Sequence, residues 1–249
     1  MRIVHSKAES WNLREAIAAM VFVAPLIGSS IDSTAAETSR GCTADAMIVF
    51  DASGSMAATD VPEQFATRIG LVKQALRQIL PTVSPTRKLG LVVYGPGKSY
   101  DVCRNVDLRF PPKPNAGNEI LSQVERLNPA GQTPLTKGVR IAADALSSSN
   151  TGGAIVLLTD GEETCGGDPC LLAHALHTAD PDIVVHIIGY KLQLLNGEPS
   201  VPGAKCLADE TGGHTVNADT LDELVKALAK MLGCPAVASN AAFQAQSKE

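Results

Sequence analysis

Short, unbroken apolar runs alternate along this chain with longer stretches whose apolar positions recur every three or four residues. Ala46 to Phe50, Leu89 to Tyr94, Ala154 to Leu158 and Ile183 to Ile188 read as strands covered on both faces, the pattern of a parallel sheet flanked by helices. Val106 to Phe110 alternates apolar and charged residues, which predicts an edge strand in an antiparallel hairpin with Leu89–Tyr94. His214 to Val216 predicts a brief last strand. Between these, Pro62 to Leu80 predicts a helix with Phe65, Ile69, Val72, Leu76 and Ile79 on one face. Ile120, Leu121, Val124 and Leu127 mark a short helix, and another begins near Pro134 with Leu135, Val139 and Leu146 inward. Asp168-Pro169 is a helix start, an N-cap followed by proline at the first helical position. Thr220 and Glu223 form a capping box ahead of the inward-facing Leu221, Leu224, Val225 and Leu228. Strands alternating with helices predict an α/β fold with a mostly parallel sheet.

The two ends read differently. Arg2, Lys7 and Arg14 precede an apolar stretch, Ala16 to Gly28, after which Thr34 and Ala36 offer a small-residue cleavage site. Residues 1–36 are therefore expected to be a signal peptide, or an anchor if uncleaved; the apolar stretch falls short of the roughly 20 residues of a membrane span. From Pro235 on, small and polar residues without periodicity predict a disordered tail over 235–249. The 249 residues, 45% hydrophobic, suffice for one substantial core. A net charge of −5 provides no global attraction to nucleic acid or an anionic membrane, and 4% aromatics leave little for base or sugar stacking. Six cysteines, an even number, suit an oxidising compartment, so the protein is expected to be exported, either periplasmic or secreted.

Chemistry enters at the ends of the buried strands. Asp51-Ala52-Ser53-Gly54-Ser55 closes the first of them with one carboxylate and two hydroxyls at alternate positions. Ligands of open parallel sheets sit at the carboxyl ends of strands, so these three look like oxygen ligands for a hard cation. The bland reading is that Ser53 and Ser55 shape a turn and cap the helix behind it. Gly131-Gln132-Thr133-Pro134-Leu135 and Thr159-Asp160-Gly161 end at the same sheet edge under this topology. Glu162 and Glu163 lie close by but read as solvated loop charges, and the His174/His177 pair lacks a third convergent ligand for zinc. His186, within a strand, reads as a satisfied core residue.

An Asp-x-Ser-x-Ser triplet, a Thr about eighty residues on, and Asp-Gly after a strand resemble the von Willebrand factor type A domain, across roughly Asp45 to Leu232. The resemblance implies a VWA domain over 42–234, with a Rossmann-like, doubly wound sheet in the order 3-2-1-4-5-6, one antiparallel edge strand, and helices on both faces. It also implies an intact metal-ion-dependent adhesion site of Asp51, Ser53, Ser55, Thr133 and Asp160, the last contacting the ion directly or through water. The expected ion is a divalent cation, foremost Mg²⁺, with Mn²⁺ or Ca²⁺ as alternatives. The expected partner is a protein that supplies an Asp or Glu carboxylate. Enzymatic activity is not expected. The chain has no Gly-x-Ser-x-Gly elbow and no phosphate-binding Gly-x-x-x-x-Gly-Lys loop, and Ser53 occupies the place where an aspartyl phosphatase needs a second carboxylate. The alternatives are a metal-dependent hydrolase or phosphatase using Asp51, and a structural domain with a vestigial site.

Under the same topology Cys42 and Cys234 lie at the end opposite the ion, where their pairing is expected and would restrain displacement of the Thr220–Leu232 helix. Cys165–Cys170 is the simplest bridge among the other four, with Cys103–Cys165 and Cys170–Cys206 as the crossed alternative. Zinc ligation by cysteines competes poorly, because four residues separate Cys165 from Cys170.

Overall fold

The computed structural model describes residues 44–60, 66–97, 99–148, 152–191, 194–195, 198–199 and 202–233. The signal segment, the tail, Phe65, Cys42 and Cys234, and with them the expected Cys42–Cys234 pairing, lie outside the described residues.

Six strands form one sheet: β1 (Ala46–Asp51), β2 (Leu89–Tyr94), β3 (Val106–Lys113), β4 (Gly153–Thr159), β5 (Ile183–Tyr190) and β6 (Thr215–Ala218). Their spatial order is β3-β2-β1-β4-β5-β6, with β2–β3 antiparallel and every other neighbouring pair parallel. This is a Rossmann-like α/β sheet in the strand order that the resemblance implies. Every residue of β1, β2 and β4 is buried, which is why these segments are apolar without alternation. In β3 only Phe110 is buried, and Pro111 and Pro112 close its far end, a composition that suits an edge strand.

Among the described residues six helices cover the sheet: α1 (Arg68–Val83), α2 (Gly117–Glu125), α3 (Leu135–Ser147), α4 (Pro169–Ala179), α5 (Pro202–Thr211) and α6 (Leu221–Leu232). Alternation along β1 divides the core into two. Ala46, Ile48 and Phe50 pack in one cluster with α1, α2 and α6, while Met47 and Val49 join α3, α4 and α5 in the other. At the lower end of the sheet, buried Arg87 ties three elements together. Its Nε donates to Ala44 O at 2.8 Å, and Nη1 donates to Met231 O and Leu232 O at the end of α6.

Most predicted elements form where the pattern places them, and the capping box of Thr220 and Glu223 is complete. Helix α1 is an exception at its start. Ala66 and Thr67 are not helical, and the Thr67 hydroxyl accepts from Gly70 N at 3.2 Å, so the cap lies inside the expected helix. Helix α5 has no counterpart among the predicted elements. Leu207 is the one large aliphatic residue in its segment, yet Ala204, Leu207 and Ala208 are buried against the sheet. A two-residue antiparallel ladder, Leu194–Leu195 with Glu198–Pro199, precedes it.

Cys165–Cys170 does not form. The bridges are Cys103–Cys165 and Cys170–Cys206, with Cα separations of 5.5 and 5.3 Å. The reason is the start of α4: Asp168 caps it through Leu171 N at 2.9 Å, which places Cys170 on a helix facing α5. Cys165 stays on the loop after β4 and meets the short 3₁₀ turn Val102–Arg104.

Candidate metal centre

Strand β1 ends at Asp51, and the chain then passes through Ala52 and Ser53 into a 3₁₀ turn, Gly54–Ala57. This position lies where strand order reverses, since β2 runs on one side of β1 and β4 on the other. Two further segments, the end of β2 and the loop holding Ala130 and Gly131, are stitched onto it by three backbone hydrogen bonds. Ala52 N donates to Tyr94 O at 2.9 Å, Ala130 N to Ala52 O at 3.0 Å, and Gly54 N to Gly131 O at 3.1 Å. Two glycines make that approach possible. Gly95 has φ +111 and a Cβ there would lie 2.4 Å from Ala52 C and O; Gly131 has φ +77 and its Cβ would lie 2.6 Å from Gly95 O.

Within this frame Asp51, Ser53, Ser55 and Asp160 form one continuous network. Asp51 Oδ1 accepts from Ser53 N at 2.8 Å, the Ser53 and Ser55 hydroxyls are 3.1 Å apart, and the Ser55 hydroxyl donates to Asp160 Oδ1 at 2.6 Å. The two serine hydroxyls thus bond to each other and to a carboxylate. The triplet does enter a 3₁₀ turn, but Ser53 makes no side-chain capping bond to it. Thr133 is buried and tied to the loop after β4: its N donates to Thr164 Oγ1 at 2.8 Å, and its carbonyl accepts from Thr164 N at 3.1 Å. Among the described residues no hydrogen bond joins its side chain to the other four.

Three residues that the sequence pattern did not single out take part. Thr159 donates its hydroxyl to Asp51 Oδ2 at 2.7 Å and receives Gly161 N at 3.2 Å. Arg68, the first residue of α1, donates from Nη1 to Asp160 Oδ2 at 3.0 Å, and grips Asp60 with Nε at 2.8 Å and Nη2 at 2.6 Å. Tyr94, at the end of β2, has a fully buried hydroxyl beside Asp51 and Thr159, with no hydrogen-bond partner among the described residues. Thr159 had a sequence signal, its place immediately before Asp160-Gly161. Arg68 had none, because its contact with Asp160 spans 92 residues.

The electrostatics follow from burial. Asp51 is fully buried, and burial first, then the charge of Asp160, push its pKa up to about 6. Bonds from Ser53 and Thr159 offset part of that rise. The Arg68 guanidinium holds the Asp60 carboxyl below its ordinary value. Tyr94 is raised well above the usual phenol value by burial, then by the Asp51 charge. Two buried carboxylates with hydroxyls between them are the oxygen-only donor chemistry of a hard cation.

Glu163 is a structural residue. Its carboxylate accepts from Thr136 N, in the first turn of α3, and from Cys165 N, both at 2.7 Å, so it satisfies an orphan helix donor from outside the helix. His186 Nδ1 accepts from His214 N at 3.1 Å, and burial followed by the neighbouring His214 lowers its pKa to about 4. Among the described residues no group of three or more His, Cys, Asp or Glu side chains could hold a metal. The set at the end of β1 differs in relying on hydroxyls.

A family model described as the von Willebrand factor type A domain matches residues 46–163, from the start of β1 to beyond Asp160. Together with the sheet order, that match supports a VWA domain in this chain. Among similar proteins, the uncharacterized protein YwmD of Bacillus subtilis (strain 168) is 27% identical over 214 residues, covering 82% of this chain and 92% of that one. Proximal thread matrix protein 1 of the mussel byssus, in a structure with a zinc-occupied MIDAS motif, shares the fold at TM-score 0.54 and 22% identity. That comparison covers 77% of this chain and 48% of the mussel chain, so the protein spans about half the length of that relative. The pilus adhesin SpaC of Lactobacillus rhamnosus GG matches at TM-score 0.56 and 13% identity, over 76% of this chain and 30% of its own. The last two are similarities of fold.

Proposed function

We propose that this protein is an exported binding module that holds a divalent cation and presents it to an acidic partner. Asp51, Ser53, Ser55, Thr133 and Asp160 are its ligands, and the partner supplies an Asp or Glu carboxylate. The observation that carries the reading is the Asp51–Ser53–Ser55–Asp160 network: two buried carboxylates joined through hydroxyls, with the burial of Asp51 unrelieved by any ion pair among the described residues. A cation between them would remove that unfavourable charge. Hydroxyl ligands add no formal charge, so the ion keeps the capacity to attract a further carboxylate, which a cage of carboxylates would repel. Mg²⁺ suits a small oxygen-only site that retains water positions; Mn²⁺ and Ca²⁺ share the donor preference.

Zinc in the mussel relative's motif and the adhesin role of SpaC favour ion-dependent protein binding over turnover. The two disulfides favour an oxidising compartment, and among the described residues no helix is long and apolar enough to cross a membrane. The test is capture of envelope proteins by the immobilised chain in Mg²⁺, in EDTA, and with Asp51→Ala. Partner recovery confined to the wild type in Mg²⁺ is expected; equal recovery in all three conditions would sink the proposal.

A further inference from the structure

Asp160 has both carboxylate oxygens engaged. Oδ1 accepts from Ser55 at 2.6 Å, on the side of Asp51, and Oδ2 accepts from Arg68 Nη1 at 3.0 Å. Arg68 is not a solvated surface cation reaching over the site. Its side chain is only 11% exposed, and Asp60 holds its other two donor positions in a forked pair. Helix α1 fixes it further, since Arg68 N donates to Ala58 O at 2.9 Å and Thr67 caps the same turn. The guanidinium therefore stands on Asp160 in a fixed orientation, largely shielded from the solvent screening that weakens exposed pairs.

We infer that Arg68 is a built-in competitor for the ion, a resident positive charge that shares Asp160 with the divalent cation and sets how tightly this chain holds it. The inference rests on the metal-site reading given above. Two cations on one carboxylate repel, and the shared carboxylate gives each of them less than it would give either alone. The charge count shows what the pair accomplishes. Asp51, Asp60 and Asp160 at −1 each with Arg68 at +1 leave −2, which one divalent ion neutralises; without Arg68 the same group would carry −3. A site that is neutral once loaded accepts an incoming partner carboxylate with less repulsion than one that keeps a negative charge. Arg68 thus trades ion affinity for acceptance of an acidic ligand. Asp60 enters as the second holder of the guanidinium, drawing part of its charge away from Asp160.

The experiment is calorimetric titration of Mg²⁺, and in parallel Mn²⁺, into metal-free protein at one pH above 7, for the wild type, Arg68→Gln, Arg68→Lys and Asp60→Asn. Melting in EDTA and in saturating Mg²⁺ accompanies each titration. Arg68→Gln is expected to bind the ion on the order of tenfold more tightly and to show a larger ion-induced rise in melting temperature than the wild type. Arg68→Lys, which keeps the charge and loses the fork, is expected to stay within about threefold of the wild type. Asp60→Asn is expected to bind several-fold more weakly, because it removes a negative charge and leaves Arg68 to Asp160. A purely structural role for Arg68 predicts the opposite sign for Arg68→Gln, namely weaker binding as Asp160 loses its support. Equal or weaker binding by folded Arg68→Gln would overturn the inference. Should that variant not fold, unchanged or tighter binding by Asp60→Asn would do the same. No binding by the wild type or any variant would remove the metal reading itself, whereas wild-type binding without the Arg68→Gln gain removes only the competition.

Discussion

Replacing Asp51 with asparagine should stabilise the ion-free protein at neutral pH, and the gain should vanish in acid. Asp51 is fully buried, and its pKa is raised from 3.8 to about 6, chiefly by burial and secondarily by Asp160. A carboxyl whose folded pKa exceeds its unfolded value contributes stability that is fully present below the unfolded pKa and lost as pH rises through the folded one. The whole shift corresponds to roughly 3 kcal/mol at 1.36 kcal/mol per unit, of which about 2 kcal/mol falls between pH 4.5 and 7.5. Asparagine keeps most of the local geometry. Its carbonyl can accept from Ser53 N, and its amide can donate to the Thr159 hydroxyl, which is free to turn its proton to Gly161 O, 3.0 Å away. Urea unfolding in EDTA, wild type against Asp51→Asn, reads this group together with its coupling to Asp160. The difference in unfolding free energy should grow by about 2 kcal/mol in favour of asparagine between pH 4.5 and 7.5. Mg²⁺ should reverse the order at neutral pH by stabilising only the wild type. A pH-independent difference in EDTA, or a wild type that gains on the variant as pH rises, would refute the reasoning.

Gly95→Ala should cost about 3 kcal/mol or more, because it adds a Cβ 2.4 Å from the Ala52 backbone at a φ of +111. Thermal melting measures that loss, and a change under about 1 kcal/mol would contradict the close packing of the two loops. Replacing Cys103 and Cys165 together by serine opens a bridge between residues 62 apart, for which the chain-entropy relation gives roughly 4 kcal/mol. Because that bridge anchors the loop after β4, the same variant should show faster hydrogen exchange over residues 159–167 than over β1, and uniform acceleration would argue against a local role.

The buried strands were legible because covering a parallel sheet on both faces demands continuous apolar residues, and no other short element does so as consistently. The caps at Asp168 and Thr220 were legible for a similar reason, since their chemistry is confined to neighbouring residues. Helix α5 was not legible. Its few apolar positions acquire meaning only once α4 and β5 stand beside them. The cysteines show the same boundary. Proximity in sequence favoured Cys165 with Cys170, but the capped start of α4 turns Cys170 toward Cys206 instead.

The sequence by itself determined the fold class, the positions of the apolar runs, and the residue types gathered at the ends of β1 and β4. Periodicity and turn chemistry act over a few residues, and those features need nothing more. Only the tertiary structure decided which polar groups share a hydrogen bond. Ser55 with Asp160 and Thr159 with Asp51 lie 105 and 108 residues apart in the chain, and each pair meets because parallel strands end side by side. Arg68 is the furthest from sequence inference. An arginine at the start of a helix is ordinarily solvated, and here folding brings two carboxylates to it and leaves its side chain 11% exposed.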